Sequence, residues 1–247
     1  MKFEVVFLEH GNEAAMRRDL QFSTVISALI LGLSMASELP AADAAPANDE
    51  EAAYTRTITE RADKIVAPLG IDDAAKGARV RDLIVNQYRS LRDVHAARDA
   101  KIAQAANTPG DAVVADAWRS LARKEADLKL FPLHRQFVAQ LEAELAPEQV
   151  NQVKDGLTYG VVPLTFKRYR ELLPNLSVEQ QAEILANLLE AREYAMDAGS
   201  ADEKHAWFGK FKGRINNYLS AAGFDMKQAE QDLAEREKSA DPPNAPQ

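Results

Sequence analysis

The chain has 247 residues, 46% of them hydrophobic, enough for a substantial core in one large domain or two small ones. Its formal net charge of −8 excludes the basic footprint of a nucleic-acid binder. With no cysteine it has no disulfide, no thiolate metal site and no thiol catalysis, although export stays open to it.

Residues 1–15 carry Glu4, Glu9 and Glu13, which do not suit the start of an export signal. Met16 followed by Arg17 and Arg18 suits it better. The apolar run 23–35 and then Ala42-Asp43-Ala44 complete a secretory signal peptide, expected to be cleaved after Ala44. Residues 1–44 are therefore read as the signal, with translation starting at Met16. The apolar run is too short for a membrane span of roughly 20 residues, so no stable span is expected after cleavage.

The mature chain reads as helix throughout. Asn48 with Glu51 forms a capping box for a first helix reaching Val66, which Pro68 and Gly70 stop. Asp72 or Asp73 caps a long second helix to about Ala106, with Val80, Ile84, Tyr88 and Leu91 in helical period. Asp111 caps a third, which Pro132 is expected to kink or break. A short helix opens at Pro147 and ends at Asp155 and Gly156. Residues 157–164, with Gly160, Pro163 and β-branched neighbours, read as an ordered, non-helical crossing loop. The basic and aromatic segment 165–170 follows. Ser177 with Gln180 caps another helix, which Gly199 closes. Ser200 starts the next at once, favouring a helical hairpin. Asp225 opens a charged last helix, and residues 239–247 read as a disordered tail. The expectation is an all-α single domain over 45–238, with six or seven helices and long antiparallel members, one of them Pro-kinked.

The stretch 204–219 carries the richest pattern. Trp207, Phe208, Phe211, Ile215, Tyr218 and Leu219 form an apolar stripe, with Lys210, Arg214 and Asn217 along one border. Gly209 and Gly213 share another face, where a neighbouring helix could approach closely. Aromatic plates beside amide and cationic side chains suit the C–H faces and hydroxyls of a sugar. The candidate ligand-binding residues are Tyr159, Lys167, Tyr169, Trp207, Lys210, Arg214 and Asn217, converging from the loop, the basic segment and this helix. The competing reading places Trp207 and Tyr218 in the core, with Lys210 and Arg214 covering its rim. A second cluster is His95, Arg98 and Asp99, with Asp155. A single His/Asp pair falls short of a metal site, so no metal and no cofactor is expected.

Lys154-Asp155-Gly156-Leu157-Thr158-Tyr159-Gly160 and Gly209-Lys210-Phe211-Lys212-Gly213-Arg214-Ile215-Asn216-Asn217-Tyr218-Leu219, with 88–99 before them, resemble a family of exported bacterial helical proteins. That family is a domain of unknown function described as sugar-binding. The resemblance spans about 52–235 and implies a carbohydrate ligand; it brings no catalytic residues with it. Leu145-Ala146-Pro147-Glu148-Gln149 and Leu176-Ser177-Val178-Glu179-Gln180 also look like the Leu-Thr-x-x-Gln motif of periplasmic stress chaperones, but capping chemistry accounts for both.

The expected function is a non-catalytic ligand-binding protein, exported to the periplasm or beyond the cell. Its ligand would be a carbohydrate or another polyhydroxyl or acidic small molecule. The alternatives are a periplasmic interaction or chaperone-like module and a carbohydrate-active enzyme. No G-x-S-x-G, H-E-x-x-H or phosphate loop occurs, and the oligomeric state is left open.

Overall fold

A computed structural model describes residues 45–107 and 111–240. The export-signal reading of 1–44 and most of the tail reading of 239–247 lie outside the described residues; Ser239 and Ala240 end the last helix. Eight α-helices and one short 3-10 turn are found among the described residues, and no strand. They are α1 (Ala45–Val66), α2 (Ala74–Asn107), α3 (Ala112–Glu144), α4 (Pro147–Leu157), α5 (Val161–Leu172), α6 (Val178–Met196), α7 (Ala201–Ala221) and α8 (Met226–Ala240).

Local chemistry sets most boundaries. The Asp73 carboxylate accepts from the backbone N–H of Ala75 at the start of α2, and Asp111 accepts from Val113 at the start of α3. Ser177 and Gln180 form the reciprocal capping box of α6. Ser200 caps α7 through the Glu203 N–H, four residues after α6 ends. At the far end of α7, Gly223 has φ 92° and Phe224 N–H bonds the Leu219 carbonyl, a Schellman closure.

Of the two outcomes expected at Pro132 a break does not occur, and the expected crossing loop is corrected. Pro132 does not break α3, which is one helix from Ala112 to Glu144. Pro132 and Leu128, whose carbonyl loses its intrahelical donor, both lie on the exposed side, where water can take over. The stretch 157–164 is mostly helical. Only 158–160 are non-helical, with Tyr159 at φ 61° and Gly160 at φ 66° reversing the chain between α4 and α5. Pro163 falls in the first turn of α5, where no backbone donor is required, and Val162 is held by burial.

The described residues form one compact unit with two apolar clusters. Ile58, Val80, Ile84, Phe137, Leu141 and Val153 centre the first, built from α1–α4. Ile184, Leu188, Phe208, Phe211, Ile215 and Leu219 centre the second, built from α5–α8. α2 packs most extensively on α3, and α6 on α7, giving two antiparallel hairpins. The close helix approach expected at Gly209 and Gly213 does not occur. Both are exposed, and a Cβ built on either would meet nothing within 4 Å.

Candidate functional site

The helical period of α7 separates its flanks. Lys204, Phe208, Phe211, Ile215 and Leu219 face the core. Trp207 and Lys210 fall on one side of that stripe, and His205 and Asn216 on the other. The Trp207 side meets the α2–α3 hairpin in a groove of about 920 Å³. One wall comes from α2 and α3, through His95, Arg98, Asp99, Arg123, Asp127 and Phe131. The other comes from the end of α6 and the start of α7, through Tyr194, Asp197, Glu203, Trp207 and Lys210.

Two candidate clusters that were separate in sequence thus share one groove: Trp207 and Lys210, and His95, Arg98 and Asp99. The Trp207 ring stacks on Tyr194 with centroids 4.5 Å apart and planes 15° apart, forming an aromatic plate. The Lys210 ammonium lies 4.9 Å from the Trp207 centroid. Arg98 is already engaged by Asp99 at 2.8 Å and by Glu203 at 3.0 Å. Arg123 and Asp127, one turn apart on α3, make no hydrogen bond or ion pair with any described residue. They and Lys210 are the groove's charged groups left open to a ligand.

Below the groove, a polar network fixes the two hairpins together. Buried His95 donates from Nε2 to the Asp197 carbonyl at 2.7 Å, and its ring packs so closely on Gly199 that a Cβ there would come within 2.6 Å. His134 lies between the carboxylates of Asp197 at 3.0 Å and Glu193 at 3.3 Å. Hydrogen bonds to Asp197 and Glu193 raise the His134 pKa from 6.5 to about 9, so it is a cation at neutral pH. Burial opposes ionisation of Glu193, but bonds from His134 and Lys154 prevail and hold its carboxyl at about 2. Lys204 is buried and donates to the Leu157 carbonyl at 3.1 Å; desolvation draws its ammonium down to about 8. Among the described residues, no group of three His, Asp or Glu is placed to hold a metal ion.

The other sequence candidates lie elsewhere. Asp155 is not in the groove; it pairs with buried Arg192 at 2.8 Å. Tyr169 is buried and donates through its hydroxyl to Asn216 at 2.7 Å, so its ring is not offered to a ligand. Burial pushes its phenol up to about 12. Lys167 is exposed beside Glu171 on α5. Tyr159 is exposed and stacks on His205, on the flank of α7 away from Trp207. Arg214 continues the Lys210 border but lies beyond the groove, over the Phe211 ring and beside Glu190 at 3.4 Å. Asn217 is exposed further along the same border. The convergence expected of the loop, the basic segment and α7 therefore does not form. α7 stands between them, with Tyr159 and Tyr169 on its far flank.

Sequence reasoning passed over Arg123, Asp127, Phe131, Tyr194, Asp197 and Glu203. Arg123 reads as part of a solvated charged face and Tyr194 as one more apolar position of α6. The signal that could have flagged Tyr194 is its place one turn before the α6–α7 link, opposite Trp207 in a hairpin.

None of the curated proteins compared with this chain matches it. A family profile described as "Protein of unknown function (DUF3826)" matches residues 55–239, from α1 to the end of α8. The chain belongs to that family.

Proposed function

We propose that this is an exported, non-catalytic binding protein that takes a carbohydrate or similar polyhydroxyl ligand in the groove between the α2–α3 and α6–α7 hairpins. The observation that carries this reading is the Tyr194–Trp207 plate beside three charged groups, Lys210, Arg123 and Asp127, that have no ion-pair partner among the described residues. A sugar ring lies flat on an aromatic plate, and its hydroxyls bridge to planar or charged side chains. A site whose polar groups already satisfied one another would gain little from a ligand; this one keeps three open. The His95–Asp197–His134 network supports it by holding the groove walls in fixed register. Export rests on the basic, apolar and Ala-x-Ala succession of residues 16–44. N-terminal sequencing of protein recovered outside the cytoplasm checks it, and a chain that retains 23–35 defeats it.

The test of the site is calorimetric titration with a panel of neutral and acidic oligosaccharides. Arg123→Ala and Lys210→Ala are each expected to weaken binding by about tenfold or more, the usual effect of deleting a charged hydrogen-bond donor. Both are exposed, so thermal melting should hardly move. Trp207→Ala is a poorer probe, because Trp207 also packs against the core. A ligand that binds all three proteins equally refutes the groove as its site. Turnover of a bound oligosaccharide refutes the non-catalytic part.

A further inference from the structure

We propose that the outward face of α3 is a docking face for an anionic lipid surface, on which the protein lies without crossing it. Of eleven large hydrophobic residues exposed among the described residues, six lie on α3: Val113, Val114, Trp118, Leu121, Leu128 and Phe131. Their exposure is extreme, at 71% for Val113, 76% for Leu128 and 66% for Phe131. In the same half of α3, the residues buried against α2 are Ala122 and Ala126. This inverts the ordinary amphipathic helix, with small residues inward and large ones facing water. A helix face that exposes large apolar side chains in this way marks a site of interaction.

Charge identifies the occupant. Asp116 is neutralised by Arg119, and Glu125 by Lys101 of α2. Asp111 caps the helix, where its charge is partly balanced by the helix N-terminus, and Asp127 has Arg123 one turn before it, both at the edge of the face that borders the other groove. Lys124 and Lys129 have no hydrogen bond or ion pair to a described residue, and Arg135 lies over the Phe131 ring at 5.6 Å. The face is thus apolar and cationic on a protein of net charge −8. Two copies meeting face to face would bring six such cations together, which disfavours self-pairing. An anionic headgroup layer over an acyl interior complements both features at once. Trp118 sits at the border of the stripe, as tryptophan does at membrane interfaces. Trp118 and Leu121 also edge a shallow apolar groove of about 340 Å³ between α2 and α3, room for part of an acyl chain. No helix among the described residues is long and apolar enough to cross a membrane, so the mode is interfacial.

The experiment is sedimentation of the full chain with phosphatidylglycerol–phosphatidylcholine vesicles and with phosphatidylcholine alone, following tryptophan fluorescence. Binding to the anionic vesicles is expected, with a blue shift that disappears in Trp118→Phe and with affinity that falls as salt rises. The pair Lys124→Glu and Lys129→Glu, and separately the pair Val114→Asp and Leu128→Asp, should each lower partitioning by at least about tenfold. Neither pair should lower the melting temperature, because all four residues are exposed. Three results overturn the proposal: no preference for anionic vesicles, binding that survives both pairs and so belongs to the apolar run 23–35, or self-association of the wild type that Leu128→Asp abolishes.

Discussion

The two long hairpins treat their large apolar residues in opposite ways. In α6–α7, Leu188, Phe208, Phe211, Ile215 and Leu219 are all buried. In the outer part of α2–α3, Trp118, Leu121 and Leu128 face solvent while Ala122 and Ala126 are buried. The difference comes from layering. α5 packs on α6, and α8 packs on α7 and α5, so the second hairpin is covered. α1 and α4 cover the α2–α3 hairpin around Ile84, Phe137 and Leu141, and the core cluster reaches no further out along α3. A helix pair shuts out water only where a further layer closes over it; beyond that layer, large side chains serve contacts other than folding.

The sharpest way to break this comparison is to truncate one aromatic in each hairpin. Phe208→Ala should cost about 3–5 kcal/mol by transfer and cavity terms, because Phe208 is only 1% exposed. Trp118→Ala should change stability by no more than about 0.5 kcal/mol, although tryptophan is the larger side chain. Urea denaturation of both proteins checks this. Comparable losses would mean that Trp118 is covered in solution and that the two hairpins do not differ.

The junction between the hairpins carries a pH signature in the acid to mildly alkaline range, whereas Tyr88 and Tyr169, packed in the two apolar clusters, are phenols pushed up to about 12. His134 has its folded pKa raised to about 9 from 6.5, so its contribution is complete below 6.5 and fades as pH climbs through 9. Glu193 has its pKa lowered to about 2 from 4.5, so its contribution is complete above 4.5 and fades as pH falls toward 2. The network should therefore stabilise most between about pH 4.5 and 6.5. His134→Gln should flatten the alkaline side of the stability profile and leave the acid side mainly to Lys154, which holds Glu193 at 2.8 Å. Melting temperatures from pH 4 to 10 test it; an alkaline decline of equal size in His134→Gln would place its cause elsewhere.

The same contrast shows what the sequence made legible. Period 3.6 grouped Phe208, Phe211, Ile215 and Leu219 correctly, and the caps at Ser177 and Ser200 located the α6–α7 hairpin before any coordinates. Periodicity says which residues share a face, not which face another helix covers, so the outward stripe of α3 was invisible. The turn at 158–160 was misjudged in extent because Gly160, Pro163 and Val161 are weak helix formers in isolation. First-turn placement and the burial of Val162 remove that objection. The groove was half legible. Trp207 and Lys210, and His95 with Arg98 and Asp99, stood out within their own helices. Joining them to Arg123 and Tyr194 required knowing how the hairpins face each other, which is a tertiary fact.

The finest probe concerns a feature of α7 that packing does not explain. Gly209 and Gly213 interrupt an otherwise well-formed helix, and each should cost about 1 kcal/mol relative to alanine. The sequence suggested close helix approach as the reason. The structure shows both residues exposed, with no atom within 4 Å of a Cβ built there. Gly213 lies within the helix at a non-positive φ, so alanine meets neither strain nor a clash. Gly213→Ala should therefore stabilise the protein by about 1 kcal/mol, raising the melting temperature by about 2–4 °C for a domain of this size. The solvent-facing flank of α7 would then match the outward face of α3 in being free of folding duties, while lacking its large apolar side chains. Calorimetry on the single variant decides it. An unchanged or lowered melting temperature would show that something approaches this flank closely in solution and would take it out of the comparison.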